Sequence, residues 1–383
     1  MRVAGSARRN GIALTDRQRL AWLRIIRSDN IGPATFRELI NHFGSADAAL
    51  EALPDLSRRG GAARTLKIAS IAEAEREIEY AHKFGARFVG IGEPDYPPAL
   101  RQIDAAPPLI AVKGDLSVAS LPAVGVVGAR NASISGTKFA AMIARDVGRA
   151  GYGIVSGLAR GIDTAAHRAS LETGTIAALA GGLDQPYPPE NLGLLDEMTS
   201  GRGLAISEMP FGWEPRARDF PRRNRLIAGM ALGVVVIEAA ARSGSLITAR
   251  LAGEFGRLVF AVPGSPLDPR CEGTNRLLKE GATVTTGPQD VLEALAPISQ
   301  LDLFSSPDVE EPHSDGRAMA PPPSDDDRSR IVEALGPTPV EVDDVIRHTG
   351  LSPSAVYLVL LELDIAGRLE RHPGGFVSLT SFN

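Results

Sequence analysis

The chain of 383 residues carries a single cysteine, Cys271, which excludes a disulfide framework within the chain and any multi-cysteine zinc site. A reducing, cytosolic setting is the natural expectation. No apolar run is long enough to span a bilayer, the longest being strand-length pieces such as VVVI, so no membrane insertion is expected. The opening MRVAGSARRNGIALTDRQ is basic but lacks the apolar core of a signal peptide. Six histidines show no H-E-x-x-H or other close ligand spacing, and no metal site is expected. There is no G-x-x-x-x-G-K-[ST], which argues against a P-loop. The first glycine loop after a strand reads G-x-x-G-A-R instead of G-x-G-x-x-G. No acidic residue ends the second strand to take a ribose hydroxyl, so a dinucleotide fits poorly and no cofactor is expected. Positive charge is not in excess either. Acids outnumber bases, 46 to 41, so an anionic partner must be met by a local patch.

Such a patch is present. In FPRRNRLIAG, Phe220 to Gly229, three arginines (Arg222, Arg223 and Arg225) fall within four residues, just ahead of the apolar run Leu232 to Ile237. From residue 86 to 300, apolar strands (AVGVVGA, GIVSG, TIAALAG, LAISEM, GVVVIEA, RLVFAVPG and ATVTTG) alternate with amphipathic helices such as TKFAAMIARDVGRAG and SLITARLAGEFG. Near-continuous apolar strands spaced by helices predict a doubly wound α/β domain, a parallel sheet covered on both faces. Ligands of such a sheet collect at the carboxyl ends of its strands.

Smaller modules flank this domain. Residues 1–85 read as helical, with an Ile31-Gly32-Pro33 turn leading into a helix that Gly44 closes. Short helices joined by a glycine hairpin resemble helix-hairpin-helix or SAM-like modules. Such a hairpin either contacts a DNA backbone through its amides or belongs to a helical adaptor that packs on its neighbour. A single I-G-P turn is a weak signal, and the adaptor is preferred. Residues 301–327 hold eight Asp or Glu, one Arg and five prolines, the composition of an extended linker. Residues 328–383 read as three helices and a hairpin, which resembles a winged helix. Ser352 is placed to cap the third helix, with Pro353 at its first position.

Four strand-to-helix junctions suit anions. In VVGARNASISGT, Gly128 allows a tight turn, and Ala129, Arg130, Asn131, Ser133 and Ser135 follow before a helix whose first amides attract phosphate. In SGLARGIDTAAH, Arg160 lies in the loop and Asp163 is expected as an N-cap. The third junction is FPRRNR, and the fourth is ARSGSLITAR, where Ser243, Gly244 and Ser245 open a helix. Arginine forks bind phosphate bidentately and stack on bases, and Phe220 offers a stacking surface if it is not simply core. The same arginines could instead be solvated charge paired with Asp219 and Glu214. His167 lacks a nucleophile or carboxylate partner in the sequence, so a structural hydrogen bond to a loop is expected. Asp163, Asp184, Glu208 and Glu238 have capping or bracing roles open to them as well as acid chemistry. No catalytic residue is assigned, and Cys271 reads as an incidental loop residue.

The runs SGLARGIDTAAHRASLETGTIAALAGGLDQPYPPEN, SEMPFGWEP, FPRRNRLIAGMALGVVVIEAAARSGSLITA and VFAVPG, in order through about 200 residues, resemble the DprA (Smf) family of DNA-processing proteins. The resemblance implies a SAM-like module, an extended Rossmann-like domain and a winged helix. It implies binding of single-stranded DNA, protection of incoming strands, loading of RecA, dealings with single-strand binding protein, homodimers through the Rossmann-like domain, and no catalytic turnover. The family's G-S/A-R motif corresponds to Gly128, Ala129 and Arg130, and its arginine-asparagine-arginine segment to Arg223, Asn224 and Arg225, with Arg222 adjacent. Extension of the DNA site to Phe220, Arg160, Ser243, Gly244, Ser245 and Lys279 is a physical inference. Two rivals stand beside this reading. A Rossmann-like phosphoribohydrolase acting on a nucleoside monophosphate is loosely echoed by SGSLITA, without the P-G-G-x-G-T-x-x-E run. A winged-helix regulator is opposed by the scarcity of basic residues on SPSAVYLVLLELDIAG, where a base-reading helix offers Arg, Lys, Asn or Gln; a protein-interaction or autoinhibitory module is preferred there.

Overall fold

The computed structural model describes residues 13–300, 323–372 and 374–380. Three helices come first, α1 (Asp16–Ile26), α2 (Pro33–Phe43) and α3 (Ala46–Arg59). Thr15 and Gln18 form a capping box on α1, and Gly44, in the left-handed conformation, ends α2. Then follow α4 (Ile71–Lys83), β1 (Arg87–Gly90), α5 (Pro98–Arg101) and β2 (Leu109–Gly114). The alternating region comprises β3 (Ala123–Gly128), α6 (Ile134–Arg149), β4 (Gly153–Ser156), α7 (Ile162–Ala169), β5 (Thr175–Ala178), α8 (Leu192–Ser200), β6 (Gly203–Ser207) and α9 (Asp219–Met230). It continues through β7 (Ala231–Ile237), α10 (Gly244–Glu254), β8 (Leu258–Ala261), α11 (Glu272–Lys279), β9 (Thr283–Val284) and α12 (Pro288–Gln300). The C-terminal segment holds α13 (Asp325–Ala334), β10 (Val340–Glu341), α14 (Val342–Thr349), α15 (Pro353–Ile365), β11 (Leu369–His372) and β12 (Phe376–Leu379).

Contacts divide the chain into two units. The sheet unit runs from Arg76 and holds one nine-stranded sheet in the order β1-β2-β6-β5-β4-β3-β7-β8-β9. Strands β3 to β9 pair in parallel, whereas β1 and β2 are antiparallel additions at one edge. The chain winds outward from β3 to β6, then returns to place β7 on the other side of β3. The gap between β3 and β7 is therefore the topological switch point, where such sheets bind ligands.

Strand alternation supplies both core layers. Val234 and Val236 of β7 meet Leu226 and Ile227 of α9 on one face. Val235 and Ile237 meet the opposite layer, with Ile143 and Val147 of α6 and Leu295 of α12. Every residue of β7 is buried, as its unbroken apolar run predicts.

The division within α4 differs from the sequence boundary at residue 85. Aromatic packing accounts for it. Tyr80 of α4, Phe84 just after that helix and Phe88 of β1 surround Phe211 with ring centroids at 5.4, 5.9 and 6.1 Å, and Glu77 accepts the Phe211 amide at 3.3 Å.

The second unit joins Leu14–Glu75 to the C-terminal segment. Helices α13, α14 and α15 with the antiparallel sheet β10-β12-β11 make a winged helix. Ser352 caps α15 by accepting the Ala355 amide, and Pro353 is its first residue. Helix α13 begins inside the stretch expected as linker. Ser324 and Asp327 form a capping box, and Asp325, Asp326 and Asp327 sit in its first turn, where the helix dipole favours negative charge. The expected linker residues 301–322 lie outside the described residues. Among the described residues, no helix is long and apolar enough to cross a membrane.

Candidate nucleic-acid interface

The arginine cluster is part of a helix. Asp219 opens α9, and its carboxylate accepts the Arg216 amide at 2.9 Å and the Trp213 indole N–H at 3.0 Å. Successive helical residues point about 100° apart, so Arg222 and Arg225, one turn apart, share a side while Arg223 turns away. Arg225 pairs with Glu208 and donates to the Ala105 carbonyl. The Nε of Arg222 lies 3.3 Å from the other Glu208 oxygen, and its side chain is 53% exposed.

Arg223 faces the sheet and is buried. Its Nη1 donates to the carbonyl of Gly157 at 2.7 Å and to that of Ala178, at the ends of β4 and β5. Glycine at 157 makes the approach possible, since a Cβ there would stand 2.6 Å from the guanidinium nitrogens. Burial, with Arg130 adding to it and Asp163 opposing it, lowers the Arg223 pKa to about 10. The side chain keeps its charge at neutral pH.

Above Arg223 lies a cleft of about 640 Å³ at the switch point. Eight residues assigned to the DNA site from sequence line it, Gly128, Arg130, Phe220, Arg223, Asn224, Ser243, Gly244 and Ser245, together with Asp163. Arg130 is exposed and holds its guanidinium 5.4 Å from the Phe220 ring centroid. Tyr187 meets Phe220 edge-on at 5.8 Å. Asn224 reaches across to the Gly244 carbonyl at 3.2 Å, tying α9 to the start of α10, which Ser243 caps.

Arg222, Arg225, Ala129, Asn131, Arg160 and Lys279 do not line the cleft. Arg160 is exposed with Glu190 at 3.7 Å, and Lys279 ends α11 on the surface. Tyr187, 47% exposed, went unremarked in the sequence, where an aromatic between prolines in DQPYPPEN was its only signal.

Several backbone amides around these junctions are already occupied. Glu238, at φ +51° just after β7, accepts the Ser133 amide at 2.8 Å and the Ser133 hydroxyl. Its carboxylate thus sits at the N-terminus of α6, where a mononucleotide-binding fold would hold phosphate. Asp163 is the second residue of α7 and not its N-cap, Gly161 taking that place. Its carboxylate accepts the amides of Gly157 at 3.1 Å and Ala159 at 3.2 Å. Asp184 accepts the Gly212 amide at 2.9 Å. Internal carboxylates fill these amide positions, and the charge offered to an outside anion comes from arginine side chains.

His167 is buried, and its bond runs to a strand, not a loop: Nδ1 lies 2.7 Å from the Thr175 hydroxyl of β5. Thr175 gives its own proton to the Ile154 carbonyl, so Nδ1–H is the donor. Burial, helped by Arg223, lowers the His167 pKa to about 3. Below the unfolded value near 6.5, the unfolded chain takes up a proton that the folded one refuses. Stability from this group is complete above that value and is lost as pH falls toward 3. Between pH 7 and 4.5 the loss is expected to be on the order of 2–3 kcal/mol, read as a fall in urea midpoint that His167→Gln largely removes. Cys271 is buried, and burial raises its thiol pKa. Among the described residues no group of three or more His, Cys, Asp or Glu could hold a metal.

Comparison with known proteins agrees with this architecture. A family model for DNA recombination-mediator protein A matches residues 87–296, one for a DprA-like N-terminal HHH domain residues 16–79, and one for a DprA winged helix domain residues 315–375. Protein Smf of Synechocystis is 32% identical over 385 residues, covering 92% of this chain and 96% of its own. DNA processing protein DprA of Streptococcus pneumoniae is 47% identical over 199 residues, 51% of this chain and 70% of its own. The crystal structure of that pneumococcal protein aligns with a TM-score of 0.60 at 36% identity, over 74% of this chain and 98% of its own. DNA processing protein A of Helicobacter pylori, described for its single-stranded DNA binding mode, aligns with a TM-score of 0.51 at 27% identity, over 56% of this chain and 96% of its own. With the central model alone spanning more than half its length, the chain belongs to the DprA (Smf) family of DNA recombination mediators.

Proposed function

We propose that this protein binds single-stranded DNA in the switch-point cleft, protects incoming strands and loads RecA onto them during natural transformation or related recombination. It works as a homodimer, alongside single-strand binding protein, and by binding instead of turnover. The observation that carries this reading is the pairing of exposed Arg130 with Phe220 and Tyr187 at the mouth of the cleft, above a charged floor of Arg223. A guanidinium beside open aromatic rings suits a strand whose phosphates and bases are both accessible. The carboxylate groups near the cleft are engaged by backbone amides, which favours binding over acid–base chemistry. Glu238 at the start of α6 also disfavours a nucleoside monophosphate as ligand. Two clefts on a dimer raise avidity where one strand spans both.

Fluorescence anisotropy of a labelled oligothymidylate, with unlabelled duplex as competitor, tests the reading. Neutralising about four phosphates gives a log–log salt slope near about −3 for a single strand. Preference for single strands with that salt dependence is the expected result. Equal affinity for duplex, or release of free base from a nucleoside monophosphate, would overturn it.

A further inference from the structure

Helix α15 is buried on two opposite sides. Val356, Val359, Leu360 and Leu363 face the winged-helix core with Ile331 and Val345. Leu358, Leu361, Glu362 and Ile365 lie on the other side at helical spacing and are buried as well. That second side packs on α2 and α3. The approach is close, for a Cβ on Gly60 would stand 2.0 Å from the Glu362 carbonyl oxygen.

Polar groups match across the same contact. Asn30 donates to the Ile365 carbonyl at 3.0 Å, and Thr35 donates to Asp364 at 2.9 Å. Arg371 bridges Asp364 at 2.8 Å and Glu38 at 2.7 Å. Arg368 donates to the Gly60 carbonyl at 3.0 Å. The buried Glu362 carboxylate is closed by Nε and Nη2 of Arg328 at 2.8 Å each, so its charge is matched.

We propose that the outer face of α15 is a docking surface whose occupant is the chain's own N-terminal helical module, and that the winged helix has given up duplex reading for this role. In a helix-turn-helix, the face of the second helix turned away from its own core is the one that enters the major groove. Here that face carries leucines and an isoleucine and is covered from Leu358 onward, while Ser354 and Tyr357 near the helix start stay exposed. Asn30, beside the Ile31-Gly32-Pro33 hairpin, is spent on the end of α15. The two elements that resemble duplex-binding modules therefore cover each other. This inference is independent of the proposed single-strand site.

The test uses the full chain with a protease site placed between residues 301 and 322. After cleavage, the C-terminal piece is expected to co-elute with the remainder in gel filtration at low micromolar concentration. Gly60 has φ −67°, open to any residue, so Gly60→Leu strains only the contact and is expected to release the piece. A milder variant, Asn30→Ala with Arg371→Ala, removes hydrogen bonds alone and is expected to speed dissociation about tenfold or more. The intact chain is expected to show no duplex binding that Tyr357→Ala or Ser354→Ala abolishes. Separation of the cleaved wild-type chain, dissociation unaltered in both variants, or duplex affinity lost on changing Tyr357 or Ser354 would each overturn the proposal.

Discussion

Replacing Arg223 with alanine is expected to destabilise the sheet unit by about 3–5 kcal/mol, the usual consequence of removing one side of a buried charged arrangement. Three losses add. The carbonyls of Gly157 and Ala178 lose their donor, the buried Asp163 carboxyl loses the charge that opposes its burial, and a cavity opens beneath α9. Since domains hold only about 5–15 kcal/mol in total, single-strand binding is expected to fall with the fold. Arg222→Ala provides the contrast. Its side chain is half exposed and shares Glu208 with Arg225, and a cost within about 1 kcal/mol is expected. Urea midpoints of both variants, measured beside anisotropy at a temperature where each is folded, separate the effects. An Arg223→Ala protein with an unchanged midpoint and abolished binding would place that guanidinium on the DNA and contradict the buried role. Arg223→Met with Asp163→Asn adds a further check. If the two groups support each other, the double variant loses less than the sum of the singles.

Much of the sheet unit was legible because its signals are repetitive. Seven apolar strands spaced by amphipathic helices predict the parallel sheet, and Gly128 and Ser243 mark junctions that the fold does bring to one cleft. The strands β1 and β2 were missed, for they precede the alternation and are separated by the proline-rich EPDYPPALRQIDAAPP. The arginines were legible as a cluster but not as individuals. Once FPRRNR is helical, spacing alone sends Arg223 into the sheet and Arg225 to Glu208. Glu238 was visible only as an acid at a strand end, because the positive φ that aims it at Ser133 has no sequence signature in a residue other than glycine. The scarcity of basic residues on α15 was legible in SPSAVYLVLLELDIAG and pointed away from base reading, but nothing in that segment names a covering partner more than 300 residues away in the chain.

The mouth of the cleft is where binding and stability should come apart. Arg130 is exposed, whereas Arg223 braces two carbonyls at the strand ends, so Arg130→Ala is expected to leave the urea midpoint nearly unchanged. Its loss should nonetheless weaken oligothymidylate binding about 10- to 100-fold, the scale of one stacked or charge-assisted base contact. Phe220→Leu keeps most of the apolar volume while removing the ring, and a loss of similar size is expected. The two side chains stand 5.4 Å apart as a cation–π pair, so each holds the other in place for the strand. Their combined loss should be smaller than the product of the separate losses, because the first substitution already removes what the second depends on. Salt distinguishes their parts. Arg130→Ala should make the log–log slope shallower by about 0.7, one phosphate's worth for a single strand, whereas Phe220→Leu should lower affinity at every salt concentration without altering the slope. An unchanged slope in Arg130→Ala would mean that this arginine meets the base and not the phosphate, and would shift the backbone contact to another cation on the same edge of the sheet.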